Sequence, residues 1–124
     1  MTGNPYTDRK ARQGIGISGR KSEKKTARRL NMNQTPASGA AIGKGDLRDK
    51  EWLVECKSTT SDSLSLKIDY LSKITMEANM TGRTPAIAIT FTDLQGKPWP
   101  VGSWVMISEH TFIEMQSIAR EEGA

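Results

Sequence analysis

The stretch "PAIAITFT", residues 85–92, is apolar at nearly every position. A strand with one wet face alternates apolar and polar side chains, whereas a strand covered on both faces reads as a continuous apolar run. Covering both faces requires helices on either side, which places the chain in the α/β class, with a mixed β-sheet flanked by helices. At 124 residues and 35% hydrophobic content the chain can build one modest core in one domain. It holds no apolar run of the roughly 18 residues that a membrane span needs. Its first residues are polar and basic, without the apolar region of a secretory signal. A single cysteine excludes an internal disulfide and suits a reducing compartment, so a cytoplasmic location is expected.

The other elements follow from periodicity. A short helix is predicted from Ser18 to about Met32, with Ala27 and Leu30 inward, and a loop over residues 33–44, "NQTPASGAAIGK". Residues 45–49 and 52–58 read as two strands joined by a tight turn. In the second, Trp52, Val54 and Cys56 point to one side while Leu53, Glu55 and Lys57 point to the other. The polar linker "STTSDS" offers caps for a helix from Leu64 to Met80, whose stripe runs through Leu64, Ile68, Leu71, Ile74 or Thr75, and Ala78 and which Gly82 stops. After the 85–92 strand come a turn, "DLQGKPWP", and a strand from Val101 to Ile107. Ser108 or Thr111 could cap a last helix to about Arg120, with Phe112, Met115 and Ala119 facing in. Thr111 and Glu114 have capping-box spacing.

Charge is distributed unevenly. Residues 1–30 carry nine Lys/Arg against two acids, an excess of +7; the rest carries nine against twelve, or −3. Residues 1–17, with no apolar periodicity, read as a flexible basic arm ahead of a single domain over residues 18–124. Such an arm suits a polyanion, with nucleic acid the first candidate, and charge alone does not separate DNA from RNA. Arg9, Lys10, Arg12, Arg20, Lys21 and Lys24 are the expected phosphate contacts.

Several motifs carry no chemistry here. "GIGISG" (14–19) has dinucleotide-loop spacing but lacks the strand that must precede it. "GAAIGKG" has the wrong glycine spacing for a phosphate loop, and Gly45 stands where the magnesium-holding Ser or Thr would be. One histidine, His110, and one cysteine make no zinc site of the His/Cys kind. Cys56 reads as a buried, inert thiol. What remains is the stretch "GDLRDKEWLVECKS", residues 45–58. Glu55 and Lys57 share one face of a strand, and antiparallel pairing of residues 45–49 would bring Asp46 to the same end. Two adjacent carboxylates repel, and a hard cation such as magnesium relieves the conflict while keeping waters and binding phosphate. A lysine beside them can orient the attacking water or meet charge developing on the phosphate, which suits phosphodiester hydrolysis. The alternative is a surface Glu–Lys pair worth about 0–1 kcal/mol.

"GDL", eight residues, then "ECK" resembles the PD-(D/E)xK nuclease signature, and within it the Holliday junction resolvases of archaea and phages. "GRKSEKKTARRL" resembles their first helix, and "PASGA" the Ser-Gly loop before the metal-binding aspartate. The resemblance covers roughly residues 18–92. It implies a restriction-endonuclease-like fold, Asp46 and Glu55 as ligands of Mg2+ (or Mn2+ in its place), Lys57 as catalytic lysine, Glu23 as a further ligand directly or through water, and Ser38 near the scissile phosphate. It departs from the family at Gly45, where proline is usual. The implied activity is a structure-selective DNA endonuclease resolving four-way junctions by paired nicks, leaving 5′-phosphate and 3′-hydroxyl ends. Paired nicking implies a two-fold homodimer, for which Met76, Met80, Phe112 and Met115 are candidate interface residues. A phage or prophage source, acting in a bacterial or archaeal cell, suits the small size. A duplex-cutting restriction or repair nuclease and a non-catalytic nucleic-acid-binding module are the alternatives.

Overall fold

The computed structural model describes residues 22–35 and 45–123. Helix α1 is described over residues 22–30. It is followed by β1 (Asn33–Gln34), β2 (Leu47–Arg48), β3 (Trp52–Thr59), α2 (Ile68–Met80), β4 (Thr84–Thr92), β5 (Pro98–Met106) and α3 (Glu109–Glu122). The five strands form one mixed sheet in the order β1-β2-β3-β4-β5. Only β3 and β4 run parallel. Parallel neighbours need a crossover, and α2 provides it. The architecture is therefore α/β, a mixed sheet flanked by helices.

Each sheet face has its own core. Leu47, Val54, Ala86 and Ala88 pack with Ala27 of α1 on one face, joined by the half-buried Trp52 and Cys56. Leu53 and Ile87 pack with Ile74 and Ala78 of α2 on the other. Residues Ala86 to Ala88 of β4 are consequently buried on both sides, as their unbroken apolar sequence predicts. Arg29 fastens α1 to the sheet by donating to Thr26 Oγ1 (2.9 Å) and Thr90 Oγ1 (3.3 Å).

Five expectations are corrected. Asn33 and Gln34 lie in a strand; two exposed polar residues carry no alternation to reveal it. The 45–49 strand contracts to Leu47–Arg48. Helix α2 begins at Ile68 instead of Leu64. The Ser/Thr linker does not cap it: Thr59 Oγ1 and Ser61 Oγ accept from Ser61 N and Ser63 N in local turns, and the N-cap position is an extended Lys67 with no capping side chain. Ile68 is accordingly 71% exposed, off the buried stripe. The β5 strand starts three residues earlier than predicted, at Pro98. Finally, α3 is capped by Ser108, whose hydroxyl accepts from Thr111 N, and buries only Thr111 among its described residues. Phe112, Met115 and Ala119 are exposed. Both faces of the sheet already carry helices, so the stripe of α3, leaving the edge strand β5, has no core to meet.

Leu53 is fully buried between β3 and α2. Leu53→Ala should cost about 2–5 kcal/mol in urea unfolding, whereas Ile68→Ala should stay within about 0.5 kcal/mol. Equal losses would contradict the late start of α2.

Candidate active site

Antiparallel pairing matches Leu47 with Val54. Extended by one residue, that register sets Asp46 opposite Glu55. The extension is held by hydrogen bonds: Asp46 N donates to Val54 O (2.8 Å), and Cys56 N donates to Asp46 Oδ2 (2.7 Å). The carboxylate thus takes the place of a strand backbone as acceptor for β3. Two residues along, on the Glu55 side, Lys57 Nζ lies 3.7 Å from Glu55 Oε1 and 4.1 Å from the ring centre of Tyr70 in the first turn of α2. Asp46, Glu55 and Lys57 are all half-buried and gather where β3 runs past the end of β2.

Two residues that the sequence reading passed over complete the cluster. Glu77 stands on the buried stripe of α2 and is only 8% exposed. Its Oε2 accepts from Gly45 N (2.9 Å), and its Oε1 lies 3.7 Å from Lys73 Nζ one turn earlier. The signal was present: Glu77 follows Ile74 by three residues, so a charge sits in an apolar stripe, with a basic partner at i−4. The Glu77 bond also accounts for glycine at position 45. Gly45 has φ +23, a Cβ there would fall 2.7 Å from Leu53 Cγ, and its N–H is in use. Proline, with φ fixed near −65° and no donor, fits none of these conditions.

Burial, above all, raises both site carboxyls above their ordinary values. For Asp46 the Cys56 N–H and the Lys57 and Lys73 ammoniums oppose the rise, while Glu77 adds to it. For Glu55 the Asp46 charge adds the next largest push upward, again opposed by Lys57 and Lys73. Three carboxylates against two ammoniums leave an excess of negative charge. Among the described residues no group of three or more His, Cys, Asp or Glu side chains is arranged to hold a metal ion. The Asp46–Glu55 pair nevertheless has the chemistry a hydrated hard cation uses: oxygen donors, an incomplete shell, and mutual repulsion that a divalent charge relieves.

Glu23 is half-buried on α1, one turn before Ala27, and its charge acts on the Cys56 thiol on the opposite side of β3 from Glu55. That thiol is half-buried and its pKa is pushed up, chiefly by burial, as an inert cysteine requires. Lys24 is exposed on α1. Ser38, Arg9, Lys10, Arg12, Arg20, Lys21 and the 1–17 arm lie outside the described residues.

A carboxyl whose pKa is higher folded than unfolded favours folding below the ordinary carboxylate range and loses that contribution as pH rises through the folded value. Glu55→Gln should therefore raise the melting temperature at pH 7–8 by a few degrees. The advantage should vanish below about pH 4, where both states are protonated. Thermal unfolding across pH checks it; a variant less stable than wild type at pH 8 would refute the assigned burial cost. Glu77→Ala strands the Gly45 N–H and should cost about 1–3 kcal/mol, with Glu77→Gln recovering most of it in the same urea titration. Compared with known proteins, the chain finds no matching family model, curated protein or solved structure.

Proposed function

We propose that the chain is a metal-dependent DNA endonuclease with a restriction-endonuclease-like core, selective for four-way junctions. The observation that carries this reading is the meeting of Asp46, Glu55 and Lys57 where β3 runs past the end of β2, two half-buried carboxylates with raised pKa values beside an ammonium. A structural surface pair has no need of the third group or of the desolvation cost.

In this reading Asp46 and Glu55 would hold a divalent cation, Mg2+ or Mn2+, with Glu23 a further ligand directly or through water. When bound, the ion supplies charge neutralisation at the phosphoryl oxygens and acidifies a water. Asp46 is oriented for its part by the Cys56 N–H, which occupies Oδ2 and leaves Oδ1 for the site. Lys57 is restrained by Glu55 and by the Tyr70 ring. Its ammonium donates a hydrogen bond to the attacking water or to a non-bridging phosphate oxygen, where negative charge grows during in-line displacement. The basic residues of the N-terminal third bind phosphates without reading sequence. A two-fold dimer provides the second nick. Met76, Met80, Phe112 and Met115 are all exposed, which suits an interface role.

The test is cleavage of a synthetic four-way junction with and without Mg2+. Wild type should nick it only with the ion, and Lys57→Ala should lose about 10²–10³-fold in rate, while Asp46→Asn and Glu55→Gln keep junction binding and lose cleavage. Mg2+ should also raise the melting temperature of wild type and not that of either carboxylate variant. Equal cleavage of the isolated linear arms would assign a duplex nuclease instead. Binding without cleavage under any divalent ion would assign a non-catalytic module.

A further inference from the structure

The sheet register carries the site further. Lys57 is matched with Ile89 on β4, and Ile89 with Trp104 on β5. Matched residues share a face, so Lys57, Ile89 and Trp104 form one row across the sheet, the indole two strand spacings, about 10 Å, from the lysine. The next row holds Thr59 and Phe91. Beyond Thr90 the β4–β5 pairing is irregular: Thr90 is matched with Ser103 but Thr92 with Pro98, two residues of β4 against five of β5. An odd number of inserted residues reverses the alternation. Trp99 and Trp104 therefore line the same cleft despite their opposite parity. Gly102 makes the tight passage between them, since a Cβ there would lie 2.6 Å from Phe91 O.

The cleft has a volume of about 460 Å³ and is walled by Phe91, Trp99 and Trp104, with Thr60, Ser61 and Asp62 along its rim. The two indoles are 57% and 62% exposed. Trp104 is held in orientation by its own Nε1–H, which donates to Val101 O (2.7 Å). Its one polar atom is satisfied within the chain, and what it offers to a ligand is a flat π-face. The formal charge on the lining residues is that of Asp62, which is negative and repels a phosphate. A ligand entering beside Lys57 would thus place its anion at the lysine and a neutral aromatic group in the cleft.

We propose that the Phe91–Trp99–Trp104 cleft receives an unpaired nucleobase of the nucleic acid whose phosphate lies at Lys57. This rests on the nuclease reading above. It adds a source of structure selectivity, because only a strand with an unstacked base, as at a branch point, can fill the cleft while its backbone stays at the site. Stacking on aromatic side chains tolerates any base, so the cleft contributes selectivity for unpaired structure without sequence preference.

The experiment uses the full chain without divalent ion and a short oligothymidylate, with a blunt duplex of equal length as control. Trp52→Phe removes the third indole, which lies on the opposite sheet face. In that background the oligothymidylate should quench the tryptophan fluorescence and the duplex should not. Trp104→Ala and Trp99→Ala should each weaken oligothymidylate binding by about 5- to 150-fold, the equivalent of one stacked base, with Trp104→Phe restoring most of it. Should either alanine variant fail to fold, quenching in the Trp52→Phe protein and the binding of Trp104→Phe decide the matter. Unchanged affinity in the alanine variants overturns the proposal, as does equal quenching by duplex. So does a shift from dimer to monomer in sedimentation with affinity per chain preserved, which would make the face a self-association surface. Cleavage separates the two readings: if the tryptophan variants weaken oligothymidylate binding as stated but wild type cleaves no junction with Mg2+ or Mn2+, the nuclease reading fails alone. If cleavage stands and the tryptophan variants bind as wild type, the cleft proposal fails alone.

Discussion

The hydrogen bond from Cys56 N to Asp46 Oδ2 is where the sheet and the site become one object. Strand β2 ends at Arg48 in one direction and at Leu47 in the other. Past Asp46, whose backbone still bonds Val54 and Thr35, the chain leaves the sheet, yet the edge of β3 continues and its amides still need acceptors. Asp46 meets that need with a side chain in place of a backbone. Any shift of register by one residue would break the bond and send Asp46 away from Glu55, because a one-residue slip exchanges the two faces. The buried Leu47–Val54 pair, whose side chains belong to the α1 core, resists that slip. Core packing on one face therefore fixes acid geometry on the other.

The same residues carry an electrostatic cost. A sheet end with three carboxylates and two lysines is less stable than apolar side chains of the same shape would make it, because desolvation of the acids is returned only in part by the ammoniums. Glu77 shows how part of that cost is turned to structure. Its carboxylate closes the Gly45 turn from above while Asp46 closes it onto β3 from beside, so the loop entering β2 is held by two acids. Local conflicts of this kind concentrate where function sits.

Much of this was legible in the sequence. Strand β3, its alternation, the apolar β4 and the helix between them follow from period-2 and period-3.6 patterns, and the Asp46–Glu55–Lys57 grouping follows from those patterns plus one turn. What escaped has physical causes. β1 is two polar residues long, and its pairing is set by β2, which lies far along the chain. The stripe of α3 has helical spacing without a core to face, and periodicity cannot tell a buried stripe from an uncovered one. Glu77 stands out in the sequence only as a charge in an apolar stripe: its Lys–Glu pair at i,i+4 is an ordinary surface feature, and its second tie, to the Gly45 amide 32 residues away, has no local signal.

The misread start of α2 bears most directly on what the molecule can do. In a β3–α2–β4 crossover the helix runs back against the strands, so its first turn lies over the end of β3 that carries Lys57, as the Tyr70 contact shows. A helix beginning at Leu64 would have been four residues longer there, about 6 Å, and would have advanced toward the Thr59–Phe91 row. Instead, residues 63–67 are non-helical, Leu66 and Ile68 are exposed, and that row remains open. Two of the linker hydroxyls, those of Thr59 and Ser61, are engaged in their own turns. The uncapped, late start of one helix is thus what leaves a lysine, a pair of acids and two indoles accessible on a sheet face that an ordinary crossover would have covered.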